Sequence, residues 1–233
     1  MNTQGFAKEH VVGAIGLMLF LYGSYLGLAV APPERFMGDV GRIFYIHVPT
    51  ATIGLLVPAV ACVIAIGSLM RNEASWDAAL EGTIEVATLL IAMLLLQGSI
   101  WAKPTWGVYW DWDPRLTTSA ILMASFVGVL ALRSFVDDPL RRASWSAVAT
   151  IIAFANVPIV YFSVKWWRTL HQGFTGARDL EDTMGTAFAF NWFGLALMVT
   201  WLIVRRSRLA WLTRPRAVAS EDAPAASTLV AGG

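Results

Sequence analysis

Cysteine is nearly absent: Cys62 is the only one in 233 residues. No intramolecular disulfide can form, and there is neither a Cys-x-x-Cys pair nor a Cys-x-x-Cys-His motif. Charge is scarce as well. Asp, Glu, Lys and Arg make up 14% of the chain, against roughly 25% in an average soluble domain. The net charge is +1, so no basic field draws in nucleic acid. No phosphate-binding Gly-rich loop precedes a Lys-Ser/Thr pair, so nucleotide hydrolysis would have to come from another subunit. Histidine is limited to His10, His47 and His171. Apolar residues are what the chain has in abundance: 57% of it, with a mean hydropathy of +0.59. A water-soluble surface cannot be assembled from so little polar material. An ordinary soluble enzyme is excluded, and so is disorder along the whole chain.

A bilayer core of ~30 Å needs ~20 apolar residues in a helix. Six runs qualify: 11–30, 46–70, 86–101, 116–132, one between Arg142 and Lys165, and one between Asp182 and Arg205. The third and fourth are short. Ala29-Val30-Ala31 has the form of a cleavage site, but the run before it is longer than the ~7–15 residues of a signal core, and its flank is barely basic. It reads as an uncleaved first helix. The expected fold class is all-α, an integral membrane protein of six transmembrane helices. Residues 1–212 form one membrane domain. Residues 213–233 are small, polar and Pro-containing, and read as a disordered tail. Lys and Arg divide ten to seven between the two sides, with the excess at the C-terminal end. The positive-inside rule then places both termini in the cytoplasm. The loops between spans one and two, three and four, and five and six face outward.

One outward loop, at about 101–115, is dense in tryptophan. Four of the chain's 11 Trp fall here: Trp101, Trp106, Trp110 and Trp112. An interfacial aromatic belt is the ordinary explanation, yet belts place one or two Trp at a helix end. Trp106, Tyr109, Trp110 and Asp113 follow i, i+3, i+4, i+7 spacing, which predicts a short helix with these residues on one face. Pro104 suits the start of that helix. Asp113-Pro114 suits the N-cap and first position of the fourth span. A flat aromatic face stacks on flat ligands.

His10 lies at the cytoplasmic edge of the first span and reads as an interfacial residue. His47, in Tyr45-Ile46-His47-Val48-Pro49, stands at the outer mouth of the second span. His171, in Thr169-Leu170-His171-Gln172, stands in the last outer loop. Either alone is ordinarily an interfacial histidine. Two on one face beside the Trp loop bring a ligand pair level with that explanation. Two imidazoles would sit on either side of a macrocycle such as haem, within reach of water and of a second protein. Arg115, Lys103, Lys165 and Arg168 could meet haem propionates, or simply snorkel to headgroups. Arg115 is best placed, since it adjoins the loop. Asn156 and Pro158 mark a kink or helix contact in the fifth span. Cys62 reads as core.

The run Trp106-Gly107-x-x-Trp110-x-Trp112-Asp113-x-Arg115-Leu116-Thr117 resembles the Trp-rich "WWD" signature of haem-handling membrane proteins. With six spans and a short chain, it resembles the CcmC family, haem exporter protein C of bacterial cytochrome c maturation. His-Val-Pro at His47 and Leu-His-Gln-Gly at His171 are similar to that family's two outward histidines. The similarity runs from about residue 10 to 205. It implies that haem b is held at the periplasmic face of the inner membrane and passed to the haem chaperone CcmE, which forms the covalent bond. It implies partners CcmA and CcmB of an ABC-type complex and the small subunit CcmD, besides the lipid bilayer. By carry-over, His47 and His171 are the axial ligands. Trp101, Trp106, Gly107, Tyr109, Trp110, Trp112, Asp113 and Arg115 hold the haem edge. A handling protein rather than an enzyme is implied. Two other classes remain. A b-type electron carrier would place His pairs deep within the spans, where none occurs here. A transporter subunit with an aromatic belt would bind no chromophore.

Overall fold

The computed structural model describes residues 3–171 and 182–214. Among these there is no strand, and seven helices build six spans. They are α1 (Thr3–Tyr25), α2 (Phe44–Arg71), α3 (Ala74–Trp106), α4 (Pro114–Phe135), α5 (Pro139–Phe154), α6 (Asn156–Trp166) and α7 (Asp182–Thr213). Each span is long and apolar enough to cross a bilayer. The expected all-α, six-helix membrane architecture is the one observed. The expected tail, 213–233, lies outside the described residues beyond Arg214.

Local chemistry sets the ends. Asp113 and Asp138 cap α4 and α5 by accepting from Leu116 N and Arg141 N, each followed by proline at the first helical position. α2 ends on Asn72 and α3 on Gly107, both left-handed, at φ 50° and 82°. A π-helical turn, Leu26–Val30, extends α1, and a 3-10 turn, Asp39–Ile43, leads into α2. The fifth span breaks at Ala155 between α5 and α6. Asn156 there turns its amide to donate to Thr118 O of α4 at 2.8 Å, so of the two expectations, a kink or a helix contact, the helix contact is present. Cys62 is buried and free, as expected.

The third span is much longer than the expected 86–101. Its charged first turns, with Asp77, Glu81 and Glu85, stay helical because their charges are paired. Arg133 of α4, which reads in sequence as a loop-side positive charge, is buried. It donates to Asp77, Glu81 and Ser146 at 2.6–2.7 Å. Arg214 joins the same two carboxylates, and Arg206 meets Glu85. Glu9 meets Arg208 at 2.5 Å. The start of α1 and the end of α7 therefore share one end of the bundle, and this end carries the ion pairs just named, while Arg42–Asp39 lies at the other end.

α3 is the most buried span and packs on α2, α4 and α7. α1 lies along α7. That approach is close: a β-carbon on Gly194 would fall 2.4 Å from Phe20 N, and one on Gly16 would fall 2.9 Å from Gly194 O. Small residues at such a contact let the backbones touch without a hydrophobic driving force. The opposite end of the bundle gathers the start of α2, the end of α3, the start of α4 and the chain after α6.

Candidate functional site

The site grows from how those four segments end. α3 does not stop at Trp101. It runs through Pro104, whose missing N–H removes one bond near the last turn. Thr105 there donates back to Trp101 O at 2.8 Å. The short helix expected from Trp106 to Asp113 does not form, and Pro104 starts no helix. Gly107 ends α3, and residues 107–113 have no helical turn. The left-handed φ at Gly107 breaks the period that the aromatic spacing suggested. Nothing lies within 4 Å of a β-carbon built there. Gly107 is thus required for the bend rather than for close backbone approach. Lys103 fixes the turn by donating to Gly107 O at 2.9 Å, with its ammonium 5.3 Å from the Tyr109 ring. The Trp loop proper is therefore 107–113, and Trp101 and Trp106 belong to α3.

The aromatic residues divide into two sets. Trp101 meets His47 edge to face, ring centroids 5.4 Å apart. Trp106 meets His171 at 5.3 Å. Trp110 packs on Trp112 at 5.5 Å. Trp110 is partly buried, while Tyr109 and Trp112 are 62% and 74% exposed. α3 thus gives each histidine one tryptophan, and the loop after it leaves a separate aromatic edge in the open.

His47 lies in the first turn of α2. It is buried at 6% exposure, which corrects the expectation that both histidines stand open to water. Its neighbour on α3 is Gly98, where a β-carbon would be 3.3 Å from His47 Cε1. His171 is half-buried. The two imidazoles and Arg115 lie within electrostatic reach of one another. The His171 imidazole is held well below its ordinary value, to about 4, by burial first and then by the Arg115 guanidinium, with Asp113 opposing. It is therefore neutral at pH 7, the form that ligates metals. Nδ1 of each histidine is buried and has no hydrogen-bond partner among the described residues, and the same holds for the indole N–H of Trp101 and Trp110.

Asp113 ties the parts together. Its Oδ1 accepts from Leu116 N at 2.8 Å. Its Oδ2 accepts from Leu170 N at 3.0 Å and from the Thr169 hydroxyl. No cluster of three His, Cys, Asp or Glu suited to a metal ion exists among the described residues. Two uncommitted imidazoles from separate elements fit a metal that carries its own equatorial ligands. That description fits haem, and Arg115 supplies a cation beside it.

Sequence reasoning missed Gly98, Thr169 and the Arg133 network. Gly98 lies three residues before Trp101, one turn along the face that meets His47. That spacing was the available signal. Thr169 carried none.

A multi-pass membrane protein with paired imidazoles and indoles at one end is the class this geometry defines. The family follows from comparison. The model of the family described as heme exporter protein C matches residues 4–221. Heme exporter protein C of Bradyrhizobium diazoefficiens is 35% identical over 193 residues, covering 83% of this chain and 73% of that protein. Its Escherichia coli K12 counterpart is 31% identical over 193 residues, covering 82% and 79%. A putative cytochrome c biosynthesis ccmC-like mitochondrial protein of Marchantia polymorpha is 33% identical over 160 residues, covering 68% of each. The chain belongs to the heme exporter protein C family.

Proposed function

We propose that this chain works in haem export for cytochrome c maturation. It holds haem b between His47 and His171 at the periplasmic face of the inner membrane. The observation that carries this reading is that two histidines, from α2 and the α6–α7 connection, lie within electrostatic reach of each other at one end of the bundle, each with an unpartnered buried Nδ1. Trp101 and Trp106 wall the imidazoles, and Arg115 offers its guanidinium to a propionate. The excess of Arg at the opposite end, where α1 begins and α7 finishes, supports cytoplasmic termini and a periplasmic site.

Haem supplies the iron and the macrocycle, and this chain binds, orients and presents it. The exposed rings of Trp112 and Tyr109 are the surface offered to CcmE, on which the covalent bond forms. CcmA and CcmB supply the nucleotide-driven part, and CcmD completes the membrane complex. Roles such as these need no general base or nucleophile on this chain.

The test is transfer. Purified chain loaded with haem is mixed with CcmE in the presence of the A, B and D subunits. Covalent haem on CcmE should appear, and His47→Ala or His171→Ala should abolish it. An electron carrier would keep its haem through the same incubation. Retention of all haem by the wild-type chain would overturn the presenting role.

A further inference from the structure

We propose that Thr169 is the positioning residue of the site, a relay that hangs His171 from the N-cap of α4. The inference rests on His171 being an iron ligand and adds what sets that ligand in place.

From Trp167 to His171 the chain is not helical, so its backbone donors need other partners. Two are found through Asp113. Leu170 N donates to Asp113 Oδ2 at 3.0 Å. His171 N donates at 3.0 Å to Thr169 Oγ1, whose own hydroxyl proton goes to Asp113 Oδ2. The hydroxyl thus uses its one donor and an acceptor lone pair together. Asp113 is buried at 8% exposure, and its other oxygen is committed to Leu116 N. It cannot turn away without uncapping α4.

The consequence is geometric. Asp113 and Thr169 fix the His171 backbone, and Trp106 limits the ring. His47 is fixed independently by α2. The position of the His171 backbone relative to the bundle is therefore set through the N-cap of α4. Ligands of a shared centre must be held to within about 0.5 Å, which a free loop does not provide. Because Asp113 also ends the Trp loop, the same relay joins that loop to the ligand.

The experiment uses the full chain in detergent, reconstituted with haem. Thr169→Val keeps the branched shape and removes the hydroxyl, and Thr169→Ser keeps the hydroxyl. The valine variant should still bind haem, with a dissociation constant raised roughly five- to tenfold for the lost bonds. Its spectrum should show a mixed high-spin population that added imidazole converts to low-spin. Serine should restore the wild-type spin state and affinity. Circular dichroism reports whether valine folds. If it does not, Thr169→Ala, which cannot overfill the site, should show the same spin mixture. A wild-type spin state and affinity in the folded valine or alanine variant would overturn the relay. If His171→Ala itself matches wild type, the ligation reading falls, and the relay falls with it.

Discussion

Gly98 on α3 is where ligand geometry and helix stability can be set against each other. A β-carbon there lies 3.3 Å from His47 Cε1, inside the ~3.5–4.0 Å of ordinary carbon contact. With alanine, the imidazole must retreat by roughly 0.2–0.7 Å to restore that contact. Ligand sites tolerate displacements of about 0.5 Å, so the variant falls at the edge of tolerance. The same substitution removes a glycine from a helix interior, which favours the fold by about 0.5–1 kcal/mol. Gly98→Ala should therefore unfold no more readily than wild type, while its haem dissociation constant rises about three- to tenfold, or ~0.7–1.4 kcal/mol. Leucine adds three more carbons toward the ring, and Gly98→Leu should resemble His47→Ala, with one axial ligand lost and imidazole able to replace it. The assay is haem titration followed by the Soret band, beside thermal unfolding by circular dichroism. A Gly98→Leu protein with the wild-type spectrum and affinity would refute the placement of His47 as a ligand against α3.

The pH response follows from His171. Its folded value of about 4 lies below the ordinary ~6.5, so folding favours the neutral ring. That contribution is complete above pH ~6.5 and is lost as pH falls toward 4. Haem should stay ligated at pH 5 and leave near or below pH 4, and Arg115→Gln should move the midpoint upward, as read from the Soret band during acid titration. Trp101→Ala should change the spectrum because its ring touches His47. Trp112→Ala should leave the spectrum unchanged and slow transfer to CcmE, since the ring is 74% exposed. Gly194→Leu should separate α1 from α7, because its β-carbon would fall 2.4 Å from Phe20 N. A lowered melting temperature, of the order expected for 1–3 kcal/mol of overpacking, is the expected reading.

Six spans were legible because a 20-residue apolar run has few alternative uses. The Asp113-Pro114 start of α4 was legible because N-caps depend on local chemistry alone. The length of α3 was not, since Asp77 and Glu81 are tolerated in a span only through Arg133 and Arg214, which are distant in sequence. The helix expected over 106–113 failed for a local reason: spacing suggested a turn of helix, and one left-handed glycine cancelled it. The pairing of Trp106 with His171 depended on how α3 extends past Pro104, which periodicity does not encode. The burial of His47 depended on Gly98 and Trp101 arriving from another helix.

Ligation by His47 and His171 is tested by the electron paramagnetic resonance spectrum of ferric haem on the intact chain, compared with His47→Ala and His171→Ala. Wild type should give a low-spin bis-imidazole signal and each variant a high-spin signal, with the low-spin signal returning when imidazole is added. A low-spin signal that survives in both variants would contradict that ligation, because the iron would then be held by other groups.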